Sequence, residues 1–562
     1  MKADEPYLIL PVNADEAKHR LKMVVDGQVV REFSISLAER NVQWWAFTNL
    51  TPLTGKLVTL EIEDLPGNSK ALAAITQSDH IVGQDAVYHE ALRPQFHFST
   101  RRGWQSDPNG LLFYGGEYHL FYQHDPYDVH SPGAMHWGHA VSKDLVHWSE
   151  LPDAIYPEKG YEDGIWSGSA VVDSNNIAGF QTGADKPIIA IFTYIPSADK
   201  DQQELIQGIA FSNDRGRTWT KYKHNPVIPN ITRYNRDPKV IWYAPEQKWI
   251  MALFLDQADY GKHPEVPPAE LLKRCADRSS FGLLSSRDLK TWEKMSEFKI
   301  QGETECPELF ELAVDGNAEN TRWIAQGASG RYLIGAFDGK SFVRESGPHT
   351  IHWGDCFYAS QTFNNIPAND GRRILIAWAG GDDSPSTSLY KGMPFNQMMG
   401  IPLELTLKST ADAGLQLFVV PVKELESLRV TTWNIKPQAI TVGENPLAII
   451  NGELFDLAAD ITVGDAAKVV FDLRGVSVVY DATTQELSCN VKKAPLKVKS
   501  GRIRLRMLVD RTSIEIFGND GRLYMPMGVV INSSNKSLHL YAEGNGAFIN
   551  TLEVSELKPI WT

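Results

Sequence analysis

The chain has 562 residues, of which 43% are hydrophobic and 22% charged, ordinary globular usage at a length that suits two to four domains. A formal net charge of −14 argues against a nucleic-acid or anionic-membrane partner, which would call for a basic face, and fits an uncharged substrate. Apolar runs are strand-sized, well short of the roughly 18 residues of a membrane-spanning helix, so no membrane insertion is expected.

The start, "MKADEPYLIL", carries no signal-peptide core. Two readings stay open: a secreted or periplasmic protein whose leader is absent from this sequence, or a cytoplasmic one. "KMVVDGQVVREF" (Lys22 to Phe33) reads as a hairpin around Asp26-Gly27, and "KLVTLEIED" (Lys56 to Asp64) alternates, so residues 1–92 are expected to form a small β domain. Within it Trp44-Trp45 reads as core or domain interface rather than a sugar platform.

Next comes "GWQSDPNG" (Gly103 to Gly110), in which Asp107 lies between Trp104 and a Pro-Asn-Gly turn. An acid before proline is by itself turn chemistry. His124, His130, His136 and His139 follow beside Asp125 and Asp128. Three residues apart on a strand, His136 and His139 face opposite sides and cannot share an ion, so no metal site is expected. Cys275, Cys306, Cys356 and Cys489 form no CxxC pair, which suggests neither a disulfide scaffold nor zinc. No cofactor is expected.

The middle of the chain repeats. "SKDLVHW" (from Ser142), "SNDRGRTW" (from Ser212) and "SRDLKTW" (from Ser286) each give Ser-x-Asp followed by Trp, and "FDGKSF" (Phe337 to Phe342) is a degenerate fourth copy. A period of about 70 residues, each copy following a hydrophobic strand, is the pattern of propeller blades, and residues 93–425 hold roughly five of them. In a propeller the innermost strands converge, so distant carboxylates meet. "YNRDPKV" (Tyr234 to Val240) offers Arg236 and Asp237, and "ETECPELF" (Glu303 to Phe310) offers Glu305. With Asp107 they make a three-carboxylate set, the equipment of a glycosidase. At the far end "RIRLRMLVDRTSIEIFGNDG" (Arg502 to Gly521) puts Ile503, Leu505, Met507 and Val509 on one face, and residues 430–562 are expected to form a β-sandwich. The expected fold class is all-β: a five-bladed propeller followed by a C-terminal β-sandwich, with an extra N-terminal β domain.

The ordered motifs "WQSDPNG", "RDP" and "ECP" resemble glycoside hydrolase family 32, the fructan hydrolases and invertases. So do "RPQFHFS" (from Arg93), "YHLFYQHDP" (from Tyr118), "HWGHAVSKDLVHW" (from His136), "GIWSGSA" (from Gly164), "PFNQMM" (from Pro394) and "VDRTSIEIFGNDG" (from Val509). The resemblance implies a retaining β-fructosidase acting on sucrose, fructo-oligosaccharides or fructans. Asp107 would be the nucleophile, Glu305 the acid/base with a raised pKa, and Asp237 the transition-state stabiliser. Arg236 would balance the charge, while Trp104, Ser106, Asn109, Gln123, Trp166, Ser167 and Cys306 would shape the sugar site. A fructosyltransferase, an endo-acting fructanase and a carbohydrate-binding propeller without catalysis are the alternatives. The sequence departs from the family at Ser106, where Asn is usual, at Pro132 and Ala134, where Trp and Asn are usual, and by an insertion, Gly261 to Ser280, expected to begin a short helix. The insertion is expected to fold over the sugar-pocket rim or to stand clear of it, with nothing to choose between the two.

Overall fold

The computed structural model describes residues 1–130, 133, 135–161, 164–196, 204–232, 234–256, 278–380 and 390–561. Pro132, Ala134 and most of the insertion, through residue 277, lie outside the described residues. Strands dominate, with a single short α-helix, Lys70–Ala74, among the described residues. No described helix is long and apolar enough to cross a membrane.

Residues 1–92 hold two three-stranded sheets, one on Tyr7–Val12 and one on His19–Val25. The Asp26-Gly27 hairpin has positive φ at both residues (49° and 75°), the two-residue turn whose twist suits paired strands. Trp44 is buried in the core of this domain and Trp45 half-buried. That core also takes in Tyr127 and Val129 from the next domain; Tyr127 stacks on Phe33 at 3.7 Å, and the Arg31 guanidinium lies 4.0 Å over the Tyr156 ring. The extra domain is therefore packed on the propeller through shared core.

Five antiparallel meanders follow, four strands each. Their first strands are Gly103–Tyr114, Ile165–Val172, Arg236–Tyr243, Glu308–Val314 and Tyr358–Thr362. Each contacts the next, and the fifth contacts the first, so the ring closes as a five-bladed propeller. The fifth blade is joined to the first by Phe395–Asn396, which pairs parallel to Gly103-Trp104, and to the fourth by a parallel bridge between Val314 and Leu407. The repeat seen in the sequence is one turn used in four blades, between third and fourth strands. Asp144, Asp214, Asp288 and Asp338 each accept backbone N–H groups of their own turn. Trp148, Trp219 and Trp292 donate Nε1–H to carbonyls of the same turns, and Trp219 packs against Phe121 of the preceding blade.

Around the axis, side chains take over from sheet bonds. Gln361 accepts from Leu111 N–H in one blade and donates to the Gly168 carbonyl in another. Asn364 donates to the carbonyls of Ala170 and Val240, and Ser169 Oγ accepts from Val240 N–H. Lys239 and Glu308 form a fully buried ion pair at 2.8 Å, with Lys239 also donating to the Thr362 carbonyl.

The C-terminal β-sandwich sets a seven-stranded sheet, including Arg502–Val509 and Ser513–Gly518, against a five-stranded one around a single apolar core. Ile503, Leu505, Met507 and Val509 all face inward. The sandwich is fastened to the propeller by His97, whose Nδ1 meets Asp510 at 2.8 Å and Nε2 meets Glu515 at 2.7 Å, all fully buried. Burial opposes charge on this imidazole, but the two carboxylates outweigh it and raise its pKa to about 9. Because the folded value lies above the ordinary one near 6.5, the stabilisation is complete below pH 6.5 and is lost as pH rises through about 9. The melting temperature is expected to fall over that window, and His97→Gln to remove that part of the decline; a parent protein with a flat profile between pH 6.5 and 9 would contradict the charged staple.

Candidate active site

The first strands are not regular. Pairing slips by a bulge between Gln105 and Pro108, between Ile165 and Gly168, between Arg236 and Lys239, and between Tyr358 and Gln361. These intervals contain Asp107, Ser167, Asp237 and Ala359. A bulge bends the strand and re-aims a side chain, and here it happens at the same end of four neighbouring strands. In the remaining blade, Glu305 and Cys306 come from the turn before Glu308–Val314. Asp237 (φ 60°), Glu305 (56°), Cys306 (38°) and Ala359 (49°) occupy the left-handed region, which costs a non-glycine residue energy and clusters at functional sites.

The turned residues meet on the axis. Ser167 Oγ donates to Asp107 Oδ2 at 2.5 Å, and Cys306 Sγ approaches the same oxygen at 3.8 Å. Cys306 N–H donates to Asp237 Oδ2 at 3.2 Å, and Asp237 N–H donates to Thr193 Oγ1 at 2.9 Å. Arg236 donates from Nε and Nη2 to Glu305 Oε1 at 3.0 and 2.9 Å, and from Nη1 to Asp256 at 3.1 Å. Tyr358 OH donates to Glu305 Oε2 at 2.7 Å. Asn109, Ser167, Asp237 and Cys306 line one narrow axial cavity. Ser106 is buried next to Asp107, and half-buried Trp166 next to Ser167.

Three buried donors around Asp107 are unspent: Trp104 Nε1, Asn109 Nδ2 and Gln123 Nε2 bond to no described residue. Buried polar groups are rarely left so, and clustered donors suit a ligand rich in acceptor oxygens. Among the described residues no group of three or more His, Cys, Asp or Glu side chains could hold a metal ion. His139 instead stacks on Phe121 at 4.1 Å and bonds His119.

The electrostatics reverse one expectation. Burial, and the nearby Glu305 charge, push the Asp107 carboxyl up to about 6 against the bond from Ser167. Asp237 is also raised, by burial and by its two carboxylate neighbours, against the pull of Arg236. Glu305, expected to be raised, is instead lowered: the Arg236 guanidinium and the Tyr358 hydroxyl outweigh its desolvation. A proton is therefore held more readily by Asp237 and Asp107 than by Glu305. Sequence reasoning did not find Tyr358, Thr193 or Asp256. Asp256 has a legible signal, a lone acid following the apolar strand Lys248–Leu255; Tyr358, within "CFYAS", carries no mark that separates it from other strand aromatics.

Comparison with known proteins decides the family. The model described as "Glycosyl hydrolases family 32 N-terminal domain" matches residues 97–263 and 272–419, and the corresponding C-terminal model matches residues 424–556. This chain belongs to glycoside hydrolase family 32. A levanase of Bacillus subtilis (strain 168) is 39% identical over 524 residues, covering 85% of this chain and 72% of that protein. An extracellular exo-inulinase of Aspergillus niger is 30% identical over 548 residues, covering 84% and 96%. Among solved structures, the exo-inulinase from Aspergillus awamori superposes with a TM-score of 0.73 at 27% identity, covering 84% of this chain and all of that one. A fructofuranosidase from Schwanniomyces occidentalis in complex with fructose gives 0.68 at 25% identity, covering 84% and 99%. The family 32 models begin after the N-terminal β domain, which is this chain's addition to the matched region.

The Ser167–Asp107 bond supplies a direct check on this family 32 site. A hydrogen bond to a charged group is worth about 1.5–3 kcal/mol, so Ser167→Ala is expected to lower kcat/KM on a fructoside by roughly 10- to 150-fold with no change in melting temperature. Unaltered kinetics would show that the bond does not matter to the reaction.

Proposed function

We propose that the protein is a retaining β-fructosidase that releases terminal fructosyl units from sucrose, fructo-oligosaccharides or fructans, with Asp107 as nucleophile, Glu305 as acid/base and Asp237 as stabiliser of the charged transition state. The observation that carries this assignment is the convergence of the three carboxylates, linked through Ser167, Cys306 and Arg236, beside three buried unspent donors of the first blade. The names of the relatives, levanase, exo-inulinase and fructofuranosidase, supply the substrate class.

In this reading a carboxylate oxygen of Asp107 attacks the anomeric C2. The bond from C2 to the leaving oxygen breaks, and Glu305 passes its proton to that oxygen. Water then attacks C2 of the covalent fructosyl-enzyme while Glu305 takes a proton from it; fructose leaves and Asp107 regains its charge. Asp237 and the unspent donors hold the sugar hydroxyls and the positive charge that develops on the ring. Arg236 has a second task. In the free site it clamps Glu305 as a carboxylate, so sugar hydroxyls that draw this guanidinium toward themselves raise the Glu305 pKa and ready it as an acid.

Asp107→Asn and Glu305→Gln are each expected to lower sucrose or fructan turnover by several orders of magnitude while the protein melts as before, and the parent enzyme to release fructose with retained anomeric configuration. Near-normal turnover in either variant, or inversion, overturns the assignment.

The pH profile tests the charge distribution separately, because kcat/KM reports groups of the free enzyme. With Glu305 held below its ordinary value, and Asp107 and its neighbour Asp237 raised to about 6 and about 7, the cluster keeps the proton the reaction needs only between those limits. The profile on sucrose is expected to peak below about pH 6 and to fall above it as that proton is lost. Tyr358→Phe removes a donor from the Glu305 carboxylate, raises its pKa and moves the acid limb to higher pH; an unmoved limb would mean that this bond does not set the protonation of Glu305.

A further inference from the structure

The propeller axis has two mouths, and the catalytic groups use one. At the other lies a cavity of about 580 Å³, within the range of small-molecule sites, lined by residues on or just beyond four of the five first strands. Trp242, on its rim, stands five residues beyond Asp237 along one strand, about 16 Å away at the usual strand rise.

The walls are aromatic. Half-buried Trp242, Tyr243 and Trp323 line the cavity with buried Trp249 and Phe337; Trp242 meets Trp249 edge-on at 4.8 Å, and Trp323 meets Phe337 at 5.0 Å. Most polar groups among them are already committed. Asp173 accepts the N–H groups of Ile177 and Ala178, Arg372 is held by Asp370 and Glu424, and Asn364 bonds two strand carbonyls.

Two donors are not committed. Trp249 is 4% exposed, and its Nε1–H reaches no acceptor. The Arg373 guanidinium lies 5.3 Å over the Phe310 ring, with no hydrogen bond or ion pair to any described residue. A buried donor without an acceptor is costly, so a cavity that keeps one in Trp249, with the half-buried Arg373 guanidinium and aromatic faces beside it, is built for a ligand with acceptor oxygens and apolar surfaces. The formal charges on its walls, Arg372 and Arg373 against Asp173 and Glu311, cancel, which favours a neutral ligand over an anion. Sugar units satisfy all three requirements: hydroxyl acceptors, C–H faces to lie on indole rings, and no charge.

We propose that the far mouth of the propeller is a second, non-catalytic sugar site, which holds a stretch of fructan chain while the catalytic mouth works on an end. This inference rests on the fructosidase reading above, and the two fail separately. Full-length protein carrying Glu305→Gln, to stop turnover, is run in native gels containing levan or inulin, with dextran as the control. Retardation by a fructan but not by dextran is expected, and Trp249→Phe and Arg373→Met, singly, are each expected to weaken it at least threefold. Placed in the active enzyme, the same substitutions are expected to leave kcat/KM on sucrose within twofold and to lower it on the polymer.

Trp249→Phe keeps most of the ring volume in the core; should it nevertheless fail to give a cooperative melt, Arg373→Met and Trp242→Ala at the rim decide the question. Undiminished retardation in the folded variants, equal retardation by dextran, or a parallel loss on sucrose and polymer overturns the second site. Failure of the parent enzyme to turn over sucrose or any fructan overturns the fructosidase reading instead.

Discussion

Everything at the catalytic mouth depends on one irregularity repeated around the propeller: the innermost strands break register at the same end. A regular strand alternates its side chains between two faces, and in a closed ring of strands those faces are taken up by the neighbouring blades. The bulges at Ser106-Asp107, Trp166-Ser167 and Asp237-Pro238, and the turn that holds Glu305 and Cys306, release polar side chains from that alternation and turn them toward the axis. The positive φ values at Asp237, Glu305, Cys306 and Ala359 are the local cost, of order 1–3 kcal/mol for each strained residue. The bonds from Cys306 N–H to Asp237 and from Asp237 N–H to Thr193 are made by these strained residues and offset part of it.

Such a site needs a rigid frame beneath it. The frame is the axial network of Gln361, Asn364, Ser169 and the Lys239–Glu308 pair, which ties all five blades together with side-chain bonds where the sheets cannot reach one another. A buried ion pair contributes little net stability because both charges lose their water, so its value here lies in geometry. Lys239 is two residues beyond Asp237 and Glu308 three beyond Glu305, so a shift of this pair would shift two carboxylates at once.

The same frame explains how charge is distributed around the axis. Five ionic groups, Asp107, Asp237, Asp256, Glu305 and Arg236, share one desolvated space, and the guanidinium is divided between Glu305, which it meets through two nitrogens, and Asp256. Asp107 and Asp237, left with hydrogen bonds and little cationic contact, are raised instead. The charges around the axis thus favour a proton on Asp107 or Asp237 over one on Glu305.

By itself the sequence determined the fold class, the propeller repeat, the inward face of Arg502–Val509 and the three carboxylates, because each leaves a local mark: alternation, a recurring Ser-x-Asp turn with its Trp, or an acid before a proline or a Cys-Pro pair. The same marks carried the resemblance to family 32. Only the tertiary structure decided which group holds the proton, for that depends on Arg236 meeting Glu305 across 69 residues and on Tyr358 arriving from another blade. It alone brought Asp256 against Arg236, sank Tyr127 into the core of the N-terminal domain, clamped His97 between two carboxylates more than 400 residues away, and left the buried Trp249 Nε1 without an acceptor among the described residues, with Arg373 over Phe310 at the same mouth. Periodicity and turn chemistry are properties of neighbours along the chain. A pKa, an ion pair or an unspent donor is a property of neighbours in space, and closing the ring is what creates them.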